Sequence, residues 1–126
     1  MSLKESAEMY LETIYTLSQT KSNVRSVDVA EALGYSRPSV CRAVGLLKKS
    51  SYLTMDKDGF LTLTEEGNAI AAKIYERHTV LTAALAALGV DEQTAAEDAC
   101  RIEHVISDRT LEAITRHMKQ YAKGTT

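Results

Sequence analysis

The feature that most limits the fold of this chain is a pair of short helical patterns joined by one tight turn, between residues 26 and 47. The first pattern ends at Gly34, since glycine readily adopts the left-handed conformation found just past a helix end. Ser36 is a candidate N-cap for the second helix, and Pro38 falls in its first turn, where a missing N–H costs no hydrogen bond. We predict a helix–turn–helix, with Ser26 capping its first helix.

A helix precedes this pair and a hairpin follows it. Apolar residues recur at helical spacing between Leu3 and Leu17. Further along, residues 52–55 and 60–63 alternate between apolar and polar side chains around a turn that ends in Asp-Gly. A helix, a helix–turn–helix and a hairpin in this order make a winged helix, which we place at residues 1–63.

Residues 64–126 carry only helical patterns. We predict one helix from Glu65 to Leu88, a second from Asp91 to Ser107 and a third beginning after Asp108. Three helices of this size do not easily form a self-sufficient core, so we expect a second subunit to cover their apolar faces. The predicted fold class is therefore mostly α, an N-terminal winged helix followed by an all-helical dimerisation domain, in a homodimer.

The charge of the chain is unevenly distributed. Residues 21–57 contain seven basic and three acidic side chains, a local net charge of +4, although the whole chain has a net charge of −2. A basic segment in an acidic protein indicates a nucleic-acid-binding face. Arginine and serine on the second helix suit base edges, whereas lysines suit phosphates. The predicted DNA contacts are Arg25, Ser36, Arg37, Pro38, Ser39, Arg42, Lys48, Lys49 and Lys57.

Other classes of protein fit the sequence less well. The chain lacks an apolar run of the roughly 18–20 residues that span a membrane, and its start does not resemble a signal peptide. We therefore expect a soluble, cytoplasmic protein without membrane contact. In that compartment Cys41 and Cys100 are expected to be free thiols rather than a disulfide.

Three potential metal ligands cluster near residue 100. Cys100, Glu103 and His104 stand at positions i, i+3 and i+4 of the second predicted C-terminal helix and would share one flank of it. Met9 falls roughly opposite the apolar stripe of the first helix, on the same polar face as Glu12. Thiolate, thioether, carboxylate and imidazole together would suit Fe(II), with Co(II), Ni(II) or Zn(II) as competitors.

Two segments, Glu8–Tyr15 and Asp98–Asp108, resemble the two signatures of the diphtheria toxin repressor family of iron- and manganese-dependent regulators. The resemblance implies a metal-activated repressor of palindromic operator DNA that is not an enzyme. Manganese-type members typically have Asp where this chain has Met9 and Glu where it has Cys100, so the chain is similar to the iron-type branch. By this resemblance the primary activating site consists of Met9, Cys100, Glu103 and His104.

The resemblance also implies a second metal site. His78 fits the family's ancillary-site histidine, and Glu12 matches a ligand of the manganese branch. The chain departs from the iron pattern at Thr82, where that branch would have Glu, and at Ala96, where it would have His. The domain layout is similar to that of the short members, which lack a third, SH3-like domain. The expected activator is Fe(II) or Mn(II).

A metal held by both domains would fix the spacing of two recognition helices, which a palindrome requires to be about 34 Å apart. The main alternative is a metal-independent winged-helix regulator that responds to a small organic ligand. A small metalloenzyme could use Cys100 and His104 as nucleophile and base, but the sequence offers no evident orienting group. A purely architectural protein-binding module would leave the basic face unexplained.

Overall fold

The computed structural model describes the backbone of residues 3–124 and the side chains of residues 4–120. Within that range the chain forms six helices and one antiparallel hairpin. They are α1 (Leu3–Thr20), α2 (Ser26–Leu33), α3 (Arg37–Lys49), β1 (Leu53–Met55), β2 (Leu61–Leu63), α4 (Glu65–Ala87), α5 (Glu92–Ile102) and α6 (Asp108–Gly124). This order confirms the prediction of a mostly α fold in which a winged helix precedes a helical domain. None of these helices combines the length and apolar character needed to cross a lipid bilayer.

The chain divides into two compact units, Met1–Lys73 and Ile74–Thr126, so the division falls inside α4. The beginning of α4 belongs to the N-terminal unit because it packs closely there. Ala71 is fully buried in that unit's core, and a Cβ atom at Gly67 would collide with the carbonyl oxygen of Tyr52. The predicted boundary after residue 63 lies at the start of this helix, ten residues earlier.

The core of the N-terminal unit combines apolar side chains of α1, including Met9, with an inward stripe of α3. In α3, Leu46 is 60% exposed, whereas Val44 is buried. The reason is that Val40, Val44 and Leu47 form the inward stripe at helical spacing. Tyr35, in the turn before α3, is 43% exposed.

Local hydrogen bonds set the ends of α2 and α3. The prediction that Ser26 caps α2 is wrong, since the cap position is Arg25, whose N–H donates to the carboxylate of Asp28 across 2.8 Å. The predicted stop at Gly34 is confirmed by its φ of 69°. The predicted cap at Ser36 is confirmed as well, because its Oγ accepts the N–H of Ser39 at 3.3 Å.

The predicted hairpin is confirmed, and its turn is held by one carboxylate. Leu53 pairs with Leu63 and Met55 with Leu61 in the antiparallel register. At the turn, the Oδ1 atom of Asp56 accepts the N–H groups of residues 58 and 60 at 2.9 and 3.0 Å. This side chain therefore organises the tip of the wing.

The C-terminal unit, from Ile74 on, contains the largest departure from the predicted boundaries. α5 ends at Ile102, not at Ser107 as predicted. Ser107 instead caps the next helix, since its Oγ accepts the N–H of Thr110 at 3.2 Å. The carbonyl oxygens of Glu103 and Ile106, beyond the end of α5, accept hydrogen bonds from the side chain of Arg77 in α4.

Candidate metal centre and nucleic-acid interface

The candidate metal centre is built around the carboxylate of Glu103. This residue is fully buried, with 0% exposure, and is the only polar or charged residue in that state among the described side chains. It occupies the cap position of α5 and keeps helical backbone angles, with its N–H bonded to the carbonyl oxygen of Ala99 at 2.9 Å. Buried carboxylates are rare unless they are paired or coordinate a metal, so this position points to a ligand role.

Two imidazoles meet the two oxygens of this carboxylate. His78, from the middle of α4, places Nδ1 at 2.9 Å from Oε2 of Glu103. His104, in the turn after α5, places Nε2 at 3.5 Å from Oε1. The side chain of His104 is only 3% exposed and that of His78 is 29% exposed. The C-terminal unit thus brings together Glu103 and His104 of the predicted primary site and His78 of the predicted second site.

Cys100 takes a more exposed position than these three residues. It lies in the last turn of α5 with an exposed side chain and does not form a disulfide. Among the described residues, its thiol does not join Glu103 and His104 in a group whose ligand atoms all lie within 4.8 Å of one another. Because α5 ends at Ile102, His104 sits in a turn and not on the helical flank that the spacing predicted.

Met9 was expected on the polar face of α1, but it is buried at 9% exposure in the core of the N-terminal unit. Its sulfur accepts a hydrogen bond from the hydroxyl group of Tyr35 at 3.7 Å. The ring of Tyr35 also packs edge-on against Tyr10, and burial, together with the neighbouring Tyr35, raises the pKa of Tyr10. Glu12, the other predicted ligand of α1, is half-buried.

The positions that depart from the iron-type pattern are both in the C-terminal unit. Thr82 lies one helical turn after His78, and its hydroxyl group is buried without a hydrogen-bond partner among the described residues. Ala96 is half-buried in α5. The hydroxyl group of Thr82 is a weaker ligand than the expected glutamate, and the methyl group of Ala96 offers no donor atom in place of the expected histidine.

The donor set in the C-terminal unit fits a divalent transition metal. Imidazole and carboxylate are both ligands of such ions, and a buried carboxylate favours a cation that compensates its charge. The fit rests on the burial of Glu103 and on its two imidazole neighbours. In this unit Glu103 and His104, together with Cys100 of the predicted set, are the residues that would hold the primary ion, and His78 would contribute to a second.

The predicted DNA-contacting side chains form an exposed surface of the N-terminal unit. All of them are solvent-exposed except the half-buried Ser39. Arg42 donates from Nη2 to the Oγ atom of Ser39 at 3.3 Å, which orients the guanidinium along the outer face of α3. An arginine held in this way can present paired donors to a guanine. The predicted set is Arg25, Ser36, Arg37, Pro38, Ser39, Arg42, Lys48, Lys49 and Lys57.

Two of the basic residues belong to the hairpin side of this surface. The guanidinium carbon of Arg25 lies 4.6 Å from the centroid of the Phe60 ring, a cation–π contact that connects the start of α2 to the turn of the wing. Lys57 is exposed in the hairpin turn. These positions suit contacts with the phosphate backbone, which add affinity without sequence choice.

Sequence reasoning missed Arg77. It directly precedes His78, and its Nη1 atom donates to the carbonyl oxygens of Glu103 and Ile106 at 3.1 Å each. Its Nη2 atom pairs with the carboxylate of Asp108. An arginine next to a candidate ligand carries no distinctive local pattern, so only the tertiary contacts identify it.

Comparisons with known proteins agree with this architecture. The family model for the iron dependent repressor N-terminal DNA binding domain matches residues 2–61. The model for the iron dependent repressor metal binding and dimerisation domain matches residues 64–123. The two family models therefore meet at the start of α4.

Individual proteins show the same similarity. The HTH-type transcriptional regulator MntR of Bacillus subtilis is 38% identical over 109 residues, which are 86% of this chain and 77% of that protein. The diphtheria toxin repressor of Corynebacterium jeikeium is 31% identical over 121 residues, 95% of this chain and 50% of that protein. A solved structure of a manganese-dependent transcriptional repressor in complex with manganese has a TM-score of 0.84 at 26% identity, and the match covers 90% of this chain and 52% of that one.

The chain thus spans about half the length of the diphtheria toxin repressor and a larger share of MntR. Both halves of the chain match the corresponding family models, and the order of a winged helix followed by a helical unit agrees with them. The chain belongs to the iron-dependent repressor family.

Proposed function

We propose that this chain is a metal-activated transcriptional repressor that acts in the cytoplasm as a homodimer on palindromic operator DNA. The observation that carries the proposal is the buried carboxylate of Glu103, with an imidazole at each of its oxygens. The exposed basic surface around α3 supports the DNA-binding part of the proposal. The relatives named above support the regulatory part.

The proposed primary site consists of Met9, Cys100, Glu103 and His104, as the resemblance implies. Its two sulfur ligands favour Fe(II) over Mn(II), because thioether and thiolate are softer than the carboxylates that manganese prefers. Mn(II) is the alternative activator. Co(II), Ni(II) and Zn(II) are expected to bind as substitutes.

A second ion is proposed at His78 and Glu12. The contact between Oε2 of Glu103 and His78 supports this assignment, since the two oxygens of one carboxylate can serve two ions. Thr82 and Ala96 weaken it, because neither replaces the ligand expected at its position. The stoichiometry of binding, one or two ions for each chain, therefore tests this part of the proposal separately.

Activation would follow from the origin of the ligands. Met9 lies in α1, whereas Cys100, Glu103 and His104 belong to the C-terminal unit. An ion bound by both units would restrict the DNA-binding units of a dimer to a spacing that fits the operator. The coupling is reciprocal, so operator DNA should tighten metal binding by the same factor by which metal tightens DNA binding. The coupling free energy is typically about 1–3 kcal/mol.

The first experiment is an anaerobic titration of the metal-free protein with Fe(II), and in parallel with Mn(II). The variants are His104→Ala and Glu103→Gln, with His117→Ala, an exposed histidine of α6, as the matched control. Binding that is lost in the first two variants and retained in the third supports the site. Binding that does not depend on His104 contradicts it.

The second experiment measures DNA binding with and without a chelator, using an operator selected from random duplexes. We expect the protein to bind the operator tightly only when the metal is present. Equal affinity in both conditions would favour the alternative regulator, a winged-helix protein that responds to a small organic ligand and whose metal-binding side chains are incidental.

A further inference from the structure

Arg77 makes an unusual set of contacts in the C-terminal unit. Its side chain is 11% exposed and lies against the turn between α5 and α6. Nη1 donates to the carbonyl oxygens of Glu103 and Ile106 at 3.1 Å each, and Nη2 pairs with the carboxylate of Asp108. The planar guanidinium can satisfy several acceptors at fixed angles, which a lysine ammonium cannot do in the same way.

The two carbonyl groups that Arg77 contacts flank His104 in the sequence. The carbonyl group of Glu103 precedes it, and that of Ile106 follows two residues after it. The backbone that carries two proposed metal ligands is therefore held at both ends by one side chain. Because the contacts are to the backbone, they fix the course of the turn whichever rotamers the ligand side chains adopt.

The position of Arg77 in α4 adds a second constraint. The next residue, His78, contacts the carboxylate of Glu103 at 2.9 Å. Two consecutive residues of one helix thus hold Glu103, one through its backbone and the other through its side chain. The positive guanidinium also lies at the C-terminal end of α5, where a cation interacts favourably with the helix dipole.

We infer that Arg77 is a positioning residue for metal binding, which acts by holding the turn of residues 103–108 in the conformation that ligands require. The inference rests on the proposed function, since it concerns the same site. Without Arg77 the turn would lose these hydrogen bonds and would sample other conformations, so the ion would have to order it on binding. Loss of a group that orients metal ligands typically weakens affinity about 10–100-fold.

The test compares Arg77→Lys with wild type in the full chain, with Arg116→Lys on the exposed face of α6 as the matched control. Affinity is measured for Mn(II) and Co(II), and the visible absorption of bound Co(II) reports the coordination geometry. Thermal unfolding of the metal-free proteins is recorded in parallel. We expect Arg77→Lys to bind about 10–100-fold more weakly and with a changed Co(II) spectrum, and Arg116→Lys to behave as wild type.

Several outcomes are decisive. A folded Arg77→Lys protein with wild-type affinity and spectrum overturns the inference, even if its melting temperature falls, because the role would then be purely structural. If Arg77→Lys does not fold, Asp108→Ala removes one acceptor from the guanidinium and is expected to weaken binding in the same direction, whereas unchanged affinity overturns the inference. If wild type binds neither ion, the proposed function itself has failed.

Discussion

The hydroxyl group of Tyr35 donates a hydrogen bond to the sulfur of Met9 across 3.7 Å. Tyr35 lies in the turn of the helix–turn–helix, directly before the cap of α3, and Met9 is a proposed metal ligand in α1. A proposed metal-binding group and the start of the recognition helix are therefore in contact within the N-terminal unit. A change in the position of the Met9 sulfur can therefore alter the start of α3 through the side chain of Tyr35 alone.

The first prediction concerns this contact. Tyr35→Phe removes the hydroxyl but keeps the ring that packs against Tyr10 at 6.2 Å, and Met9→Leu replaces the sulfur at nearly constant volume. A double-mutant cycle in urea unfolding should give a coupling free energy of about 0.5 kcal/mol, at the low end for a neutral hydrogen bond. Strictly additive single effects would show that the contact does not contribute.

The second prediction concerns the approach of α4 to the wing. Gly67→Ala should destabilise the protein by about 1–3 kcal/mol, because the added methyl group collides with the backbone of Tyr52. Gly45→Ala, in α3, is the matched control, since its new methyl group meets open space. The control should stabilise the protein by about 0.5–1 kcal/mol through helix propensity. Urea unfolding of both variants checks the difference in sign.

The third prediction concerns pH. Two hydrogen bonds to the carboxylate of Asp28 lower its pKa. The one from the Lys21 side chain has the larger effect, and the one from the Arg25 N–H has the smaller. The charged form of Asp28 thus stabilises the fold above the usual value of 3.8, and this contribution disappears as pH falls through the lowered folded value. Asp28→Asn should cost about 0.5 kcal/mol near neutral pH and nothing in stronger acid.

Urea unfolding across a pH series measures this difference. Glu31→Gln, an exposed carboxylate on the same helix, is the control. A loss of stability in Asp28→Asn that stays constant into acid would mean that the ionised form of Asp28 is not the source of the stabilisation.

The fourth prediction concerns metal removal. At a free metal concentration about 100-fold above Kd, binding should add about 2.7 kcal/mol to the free energy of unfolding. Glu103→Gln should abolish this gain, because the neutral amide is a poor ligand, while Glu112→Gln on the exposed face of α6 should retain it. Thermal melts with added metal and with chelator provide the measurement. A metal-dependent gain that survives in Glu103→Gln would remove this carboxylate from the ligand set.

The fifth prediction separates base contacts from phosphate contacts. Arg42→Ala should weaken operator binding by about 1–3 kcal/mol and relax the sequence preference at one base pair. Lys57→Ala should weaken binding to all sequences alike and reduce the salt dependence by about one phosphate contact. Affinities for specific and random duplexes at several salt concentrations distinguish these effects. Identical behaviour of the two variants would contradict the division of roles.

Local signals predicted the elements of the N-terminal unit well. Gly34 ends α2 and Ser36 caps α3 as expected, because a left-handed residue and a capping hydroxyl act on their immediate neighbours. The end of α5 was predicted less well. Helical periodicity continues to Ser107, but the helix ends at Ile102 and is followed by a turn that Arg77 contacts and by the capping of α6 by Ser107.

The candidate site divides in the same way. By itself, the sequence determined the order of helices and strands, the ligand types near residue 100 and the basic face of α3, since these depend on residue chemistry and short spacings. Only the tertiary structure decided that Glu103 is buried beside His78, that Arg77 holds its turn and that Met9 contacts Tyr35. Each of these contacts joins residues 25 or 26 positions apart, and such pairs are set by how helices pack rather than by any pattern along the chain.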